Sequence, residues 1–255
     1  MVQRSMAMRN ILITALVMLP LVSGAENPDA SQIVRDAVNH WRGVASYSEM
    51  TMVIHRPDWE RAMSMQAWTK GDDKSLVRVI EPKKDRGNGT LTDGNSMWTF
   101  SPKVNRVIKI PSSLMGQSWM GSDFSNKDVA KADDIIDQYD HSLLSVSEED
   151  ELTIYEIQSV PHEEAAVVWG REVLRIREDH VVLNHSFYDQ DGELVKSLES
   201  LEIGEMGGRT VAMRQRMGEV DAPDEWTEIR IDAVDYDVDI RDNLFTLSNL
   251  RNPRE

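Results

Sequence analysis

Cysteine is missing altogether from the 255 residues. Its absence excludes a disulfide framework, and it excludes a lipid-modified cysteine behind an export signal. Positive charge is scarce, with 28 Lys and Arg against 44 Asp and Glu. A surface with so little to neutralise phosphate argues against nucleic acid as a partner and against resting on anionic lipid. There is no apolar run long enough to span a membrane comfortably, no glycine-rich phosphate loop, no internal repeat, and no low-complexity or Pro-rich linker to mark a second domain.

Catalytic and metal-binding patterns are also lacking. Asp189-Gln190-Asp191-Gly192-Glu193 has the flavour of a calcium loop, but aligning Gly192 with the loop glycine puts Phe187 at the first ligand position and Leu198 at the last. A hairpin turn is the better reading. His162-Glu163-Glu164 has no second histidine at helical spacing, and Gly116-Gln117-Ser118-Trp119 departs from a nucleophile elbow at Met120, where glycine is required. The six histidines form no metal or triad set. The sequence therefore predicts a protein that is not an enzyme and carries no metal or cofactor, with a carboxylate-based envelope hydrolase as a minor alternative.

What is present begins with an export signal. Residues 1–25 combine Arg4 and Arg9, the apolar "ILITALVMLPLV" and the small residues Ser23-Gly24-Ala25, which predicts cleavage after Ala25 and a periplasmic mature chain of residues 26–255. An uncleaved anchor is the alternative, weakened by the shortness of the apolar run. Removing two arginines leaves 26 basic residues against 44 acidic, a balance of −18.

The mature chain starts with Ile33, Val34, Ala37, Val38 and Trp41 at helical spacing, which predicts an amphipathic helix over 31–43 with Ser31 as N-cap. Thereafter the apolar period is two. "SYSEMTMVIHR", "ERAMSMQAWTKG" and "KSLVRVIEP" alternate, with turn signals at Pro57-Asp58 and Gly71-Asp72-Asp73. "GTLTDGNSMWTFSPKVNRVIKIP" (89–111) continues the meander through turns at Asp93-Gly94-Asn95 and Ser101-Pro102. From Pro111 the pattern lapses, with loop composition over 116–122 and a short helix predicted over 125–132, with Ser125 as cap and Asp128 three residues on, close to a capping box. Strands then resume to residue 238, and "IRDNLFTLSNL" reads as a short terminal helix or docked turn. The expectation is one mainly β domain: a single curved antiparallel sheet of about ten or eleven strands forming an incomplete barrel, covered by short helices.

Such a sheet needs something on its concave face, and short helices alone cannot fill it. Tryptophans are spread along the chain, and methionines concentrate at 50, 52, 63, 65, 97, 115, 120, 206, 213 and 217. Each taken singly is ordinary core, but methionine adapts its shape to variable apolar ligands, so together they suggest a cavity for acyl chains.

Residues 86–129, "RGNGTLTDGNSMWTFSPKVNRVIKIPSSLMGQSWMGSDFSNKDV", resemble the signature region of the outer-membrane lipoprotein-sorting family, the LolA-like periplasmic carriers. A basic turn, "MW-F-P" on one strand, "R-IKIP" on the next and "GSDFSNKDV" entering a short helix carry the resemblance, with weaker similarity over the rest of the mature chain. It implies a half-open barrel lidded by helices, lipid or lipoprotein acyl chains as cargo, an inner-membrane transporter of ABC or RND type as donor, and an outer-membrane acceptor. It implies no cofactor and no nucleic acid, and a monomeric chaperone-like carrier. In this reading Met50, Met52, Met63, Met65, Trp68, Trp98, Phe100, Ile108, Ile110, Leu114, Met115, Trp119, Met120 and Phe124 are candidates to line the cavity, with residues 112–125 as a lid. Lys103, Arg106 and Lys109 are candidates to meet a head group or a partner, or else form a solvated face. The alternative is a non-carrying accessory module that regulates a membrane transport complex.

Overall fold

A computed structural model describes residues 28–253; the expected signal segment lies outside them. Helix α1 (Ala30–Arg42) comes first. Asp29, not Ser31, caps it: its Oδ1 accepts from the Ser31 and Gln32 backbone amides at 3.0 and 3.3 Å. Such a cap contributes about 1 kcal/mol. Ala30, Val34, Ala37 and Val38 form its buried stripe, and Gly43 at φ +67° ends it.

Thirteen strands follow: β1 (Ala45–Arg56), β2 (Trp59–Lys70), β3 (Lys74–Glu81), β4 (Gly89–Asp93), β5 (Ser96–Ser101), β6 (Arg106–Ile110), β7 (Tyr139–Glu149), β8 (Leu152–Pro161), β9 (Arg171–Arg177), β10 (Val182–Tyr188), β11 (Leu194–Met206), β12 (Arg209–Glu219) and β13 (Trp226–Tyr236). They form one antiparallel sheet in the order β6-β5-β4-β3-β2-β1-β13-β12-β11-β10-β9-β8-β7. The count exceeds the expected ten or eleven because every alternating run, including the short ones of β4 to β6, makes its own strand. Two-residue turns Pro57-Asp58 and Gly94-Asn95 join β1 to β2 and β4 to β5. At the second of these Gly94 alone takes a positive φ, +58°, the arrangement in which glycine leads the turn. Asp189 closes the β10–β11 turn by accepting from the Asp191 and Glu193 amides, so that segment is a hairpin turn.

The sheet is unclosed, and its two edges, β6 and β7, are neighbours in sequence. Residues 111–138 must therefore run from one edge to the other. They do so across one face, carrying α2 (Asn126–Ala130) and α3 (Asp134–Asp137). Ala130 packs among residues of β1, β2, β3 and β5, whereas Ile135 packs with α1, β8 and β9. A short segment can touch both halves of so wide a sheet only from the inside of its curve. The face bearing α1 and this connector is thus the concave one. The opposite face of β2 to β5 is covered by the C-terminal segment, whose Ile240, Phe245 and Leu250 pack on Leu76, Leu91 and Phe100. That segment ends in a 3₁₀ turn (Asp242–Leu244) and helix α4 (Leu247–Arg251), as "IRDNLFTLSNL" suggested.

Candidate functional site

The concave face of the first half-sheet is a floor of unbranched and aliphatic side chains. Met52 and Ile54 of β1, Met63 and Met65 of β2, Val79 of β3 and Met97 of β5 are all 0–1 % exposed. Period-two alternation puts them on one face, and their flexible thioethers let the surface fit differently shaped apolar partners.

The connector roofs this floor. Residues 118–125 fold back as a miniature hairpin, with a Ser118–Ser125 bridge, the Trp119 amide donating to the Phe124 carbonyl at 2.7 Å and the Ser122 amide to the Trp119 carbonyl at 3.0 Å. Met120 and Gly121 at its tip have φ of +55° and +82°, the primed-turn geometry that suits tight hairpins. Methionine rarely accepts a positive φ, so the tip is held by its contacts rather than by preference. Trp119 descends into the floor, 3 % exposed, and its Nε1 donates to Thr90 Oγ1 at 3.0 Å. That bond satisfies the indole's polar edge inside an apolar cluster. Met115 and Met120 pack beside it, as do Met50 and Ile110 at the margin.

Polar contacts hold the roof along its length. Arg56 at the end of β1 grips Asp123 through two bonds, at 3.0 and 3.2 Å, and also meets Glu225 at 3.0 Å. Thr227 donates to the same carboxylate at 2.5 Å. Arg61 reaches the Met120 carbonyl, Lys131 reaches Asn95 Oδ1 in the β4–β5 turn at 2.8 Å, and Lys127 donates to the Ala166 carbonyl at 2.6 Å. Burial lowers the Lys127 ammonium pKa, an effect that Asp134 partly offsets. Ser125 and Asp128 form the reciprocal capping box of α2 that their spacing predicted.

The concave face of the second half-sheet is different in kind. Asp128 Oδ2 lies 2.5 Å from Nζ of Lys196 on β11, a lysine only 4 % exposed. The ammonium lies over Phe187 and Trp169, at 4.9 and 5.3 Å from the ring centroids. Trp169 is placed by Gly170, where a side chain would collide with the Asp189 carbonyl at 2.3 Å. Beyond Phe187, His185 stacks on that ring at 4.2 Å and meets buried Glu172 at 2.6 Å, while Tyr139 donates to the other oxygen of Glu172. Burial first, and the Glu172 charge second, raise the Tyr139 phenol far above its ordinary range.

Sequence reasoning grouped fourteen apolar candidates; the structure divides them between the two faces. Met52, Met63, Met65 and Trp119 are buried on the concave side, with Met50, Ile110, Met115 and Met120 against them and Phe124 in the adjoining cluster of Phe187 and Met217. Trp68, Trp98 and Phe100 belong to the opposite face, under the C-terminal segment. Alternation forces this, since Trp98 follows Met97 and Trp68 is an odd number of residues from Met65. Ile108 and Leu114 are exposed. Lys103, Arg106 and Lys109 lie at the β5–β6 turn and along edge strand β6, all exposed, with Lys109 Nζ 5.5 Å from the Trp98 ring. They thus stand away from the methionine floor. Lys196, Glu172, His185 and Tyr139 were not singled out from the sequence. The available signal was a charged residue at an inward position, as in Glu172-x-Leu174-x-Ile176 and Lys196-x-Leu198. On the convex face a groove of about 560 Å³ runs between Trp68 and residues 239–249.

An unclosed antiparallel sheet whose edge-to-edge connector and first helix fill its concave side is the LolA-like fold. A LolA superfamily protein from Nitrosomonas europaea superposes with a TM-score of 0.72 at 21 % identity, covering 87 % of this chain and 99 % of that one. An outer-membrane lipoprotein-sorting protein domain from Vibrio parahaemolyticus gives 0.76 at 19 %, covering 87 % and 98 %. A DUF1329 family protein from Desulfovibrio piger gives 0.78 at 26 %, covering 87 % and 97 %. No curated protein matches the chain. The chain belongs to the family whose model, described as "Uncharacterized protein", matches residues 71–252.

Proposed function

We propose that this chain is an exported periplasmic carrier that shields the acyl chains of a lipid or lipoprotein on its concave face, accepting them from an inner-membrane transporter of ABC or RND type and passing them toward an outer-membrane acceptor. No bond is made or broken in this role. The observation that carries it is the methionine floor sealed by a roof that belongs to the connector and not to the strands, seated by Trp119 and fastened by separable polar contacts. The fold shared with the lipoprotein-sorting domain supports it.

Roof and cargo compete for the same surface. Each methylene buried contributes about 0.8 kcal/mol, so a sixteen-carbon chain gains roughly 12 kcal/mol gross. Three large side chains such as Trp119, Met115 and Met120 gain roughly 5–9 kcal/mol at about 1.5–3 each. The two gross gains differ by only a few kcal/mol before the cost of association and the roof's polar contacts are counted, so a partner's contribution can decide between closed and loaded states. Native mass spectrometry of protein taken from a periplasm tests this: co-purifying lipid is the expected result. A second reading, a non-carrying accessory module of a transport complex, is favoured by the fully packed floor; a lipid-free form bound to a protein partner would establish it instead.

A further inference from the structure

We infer that Lys196 is the counter-ion for the head group of the cargo, so that the protein selects amphiphiles bearing a carboxylate or phosphate next to a long acyl chain. The inference rests on the carrier reading and names the ligand class for it. Lys196 projects from the middle of the sheet into the concave face, 4 % exposed, with Phe187 and Trp169 beneath its ammonium. Its ion partner, Asp128, comes from the connector and not from the sheet. A buried ion pair contributes little to stability that an apolar pair would not, but a buried cation that has lost its partner is strongly unfavourable. Any movement of the connector that uncovers the floor withdraws Asp128 and leaves Lys196 among aromatic rings. An anion supplied by the incoming ligand satisfies it.

The placement fits one molecule at both sites. Ile229 of β13 packs against both the methionine cluster and the cluster of Phe187 and Met217 beside Lys196, so the apolar track along the sheet is continuous and ends at the cation. A chain on the floor thus brings its head group to Lys196, and the head group takes the position that the Asp128 carboxylate holds in the closed form. The same exchange couples binding to release of the roof, because an anion that neutralises Lys196 removes one fastening of the connector.

The test is displacement of a neutral apolar dye, N-phenylnaphthylamine, from the full mature chain by palmitate, hexadecyl phosphate and monopalmitin, which share a sixteen-carbon chain. The anionic pair should compete about tenfold better than monopalmitin, as expected for a charge-assisted contact in a buried setting. In Lys196→Gln the ratio should fall to about one. Asp128→Asn keeps an acceptor for the α2 cap but removes the competing charge, so the anionic probes should tighten several-fold relative to monopalmitin. A merely structural pair would shift all three probes alike. A retained preference in Lys196→Gln, or a uniform shift in Asp128→Asn, overturns the inference; should Lys196→Gln fail to fold by its melting transition, the Asp128→Asn ratio decides. Palmitate and hexadecyl phosphate separate carboxylate from phosphate recognition, and inorganic phosphate alone should not compete; displacement by it would overturn the amphiphile assignment. Displacement by none of the three amphiphiles in the unaltered protein would instead overturn the carrier reading itself.

Discussion

Trp119 is the largest connector side chain buried in the floor. Truncating a buried tryptophan typically costs about 3–5 kcal/mol, but here the loss falls on a segment with its own local contacts. Trp119→Ala should therefore accelerate amide exchange across residues 118–130 by at least about a hundredfold while leaving β1 and β2 nearly as protected as before; hydrogen-exchange mass spectrometry reads this, and equal loss across both strands would show the roof and sheet to be one cooperative unit. His141 gives a residue-scale pH effect. Burial lowers its pKa from the ordinary 6.5, and hydrogen bonding to the Ile135 backbone, with the nearby Asp140 and Glu172 charges, offsets this only in part. The unfolded chain then binds the proton more readily than the native one, so stability falls as pH drops below about 6.5 and levels off once the native imidazole is also protonated. Melting curves between pH 7 and 5 should show this decline, and His141→Gln should flatten it. At this scale the sequence was only partly legible. The period of two told which residues share a face but not which face is concave, so Met65 and Trp68 were both taken as cavity candidates although they point apart. Lys196 and Glu172 occupy inward positions that the alternation marks, yet a lone charge in a strand carries no label until its partners from other strands are known.

The connector is the element on which the proposed function turns. Its helix α2 was legible because a capping box is a local pattern, with Ser125 and Asp128 three residues apart. Its course was not, because nothing local says that β6 and β7 end on opposite edges. The absence of native cysteine permits a direct test. Asn95→Cys with Lys131→Cys, which replaces a 2.8 Å contact between the β4–β5 turn and the connector, can be bridged by a short bis-methanethiosulfonate, each thiolate displacing a methanesulfinate to form a reducible disulfide. Uptake of a fluorescent fatty acid should be intact before bridging, lost after it and restored on reduction; uptake unaffected by the bridge would place the binding surface elsewhere. Ser125→Ala should loosen the same element, costing about 1 kcal/mol of local stability and raising the uptake rate rather than the affinity.

At the scale of the whole molecule, thirteen strands separate two apolar layers, one on each side of the sheet. The inner layer lies under the connector, and the outer one lies under the C-terminal segment with its groove beside Trp68. The excess of acidic over basic residues should keep the protein off phosphatidylglycerol vesicles at physiological salt, which flotation would check. It leaves Lys196 as a cation shielded from that field inside the curve. The central claim is that cargo binds in the inner layer. Photolabelling with a diazirine-bearing palmitate followed by peptide mapping measures this most directly: adducts are expected on β1, β2 and the Met115–Met120 stretch, and adducts confined to residues 238–251 and the Trp68 face would contradict the account.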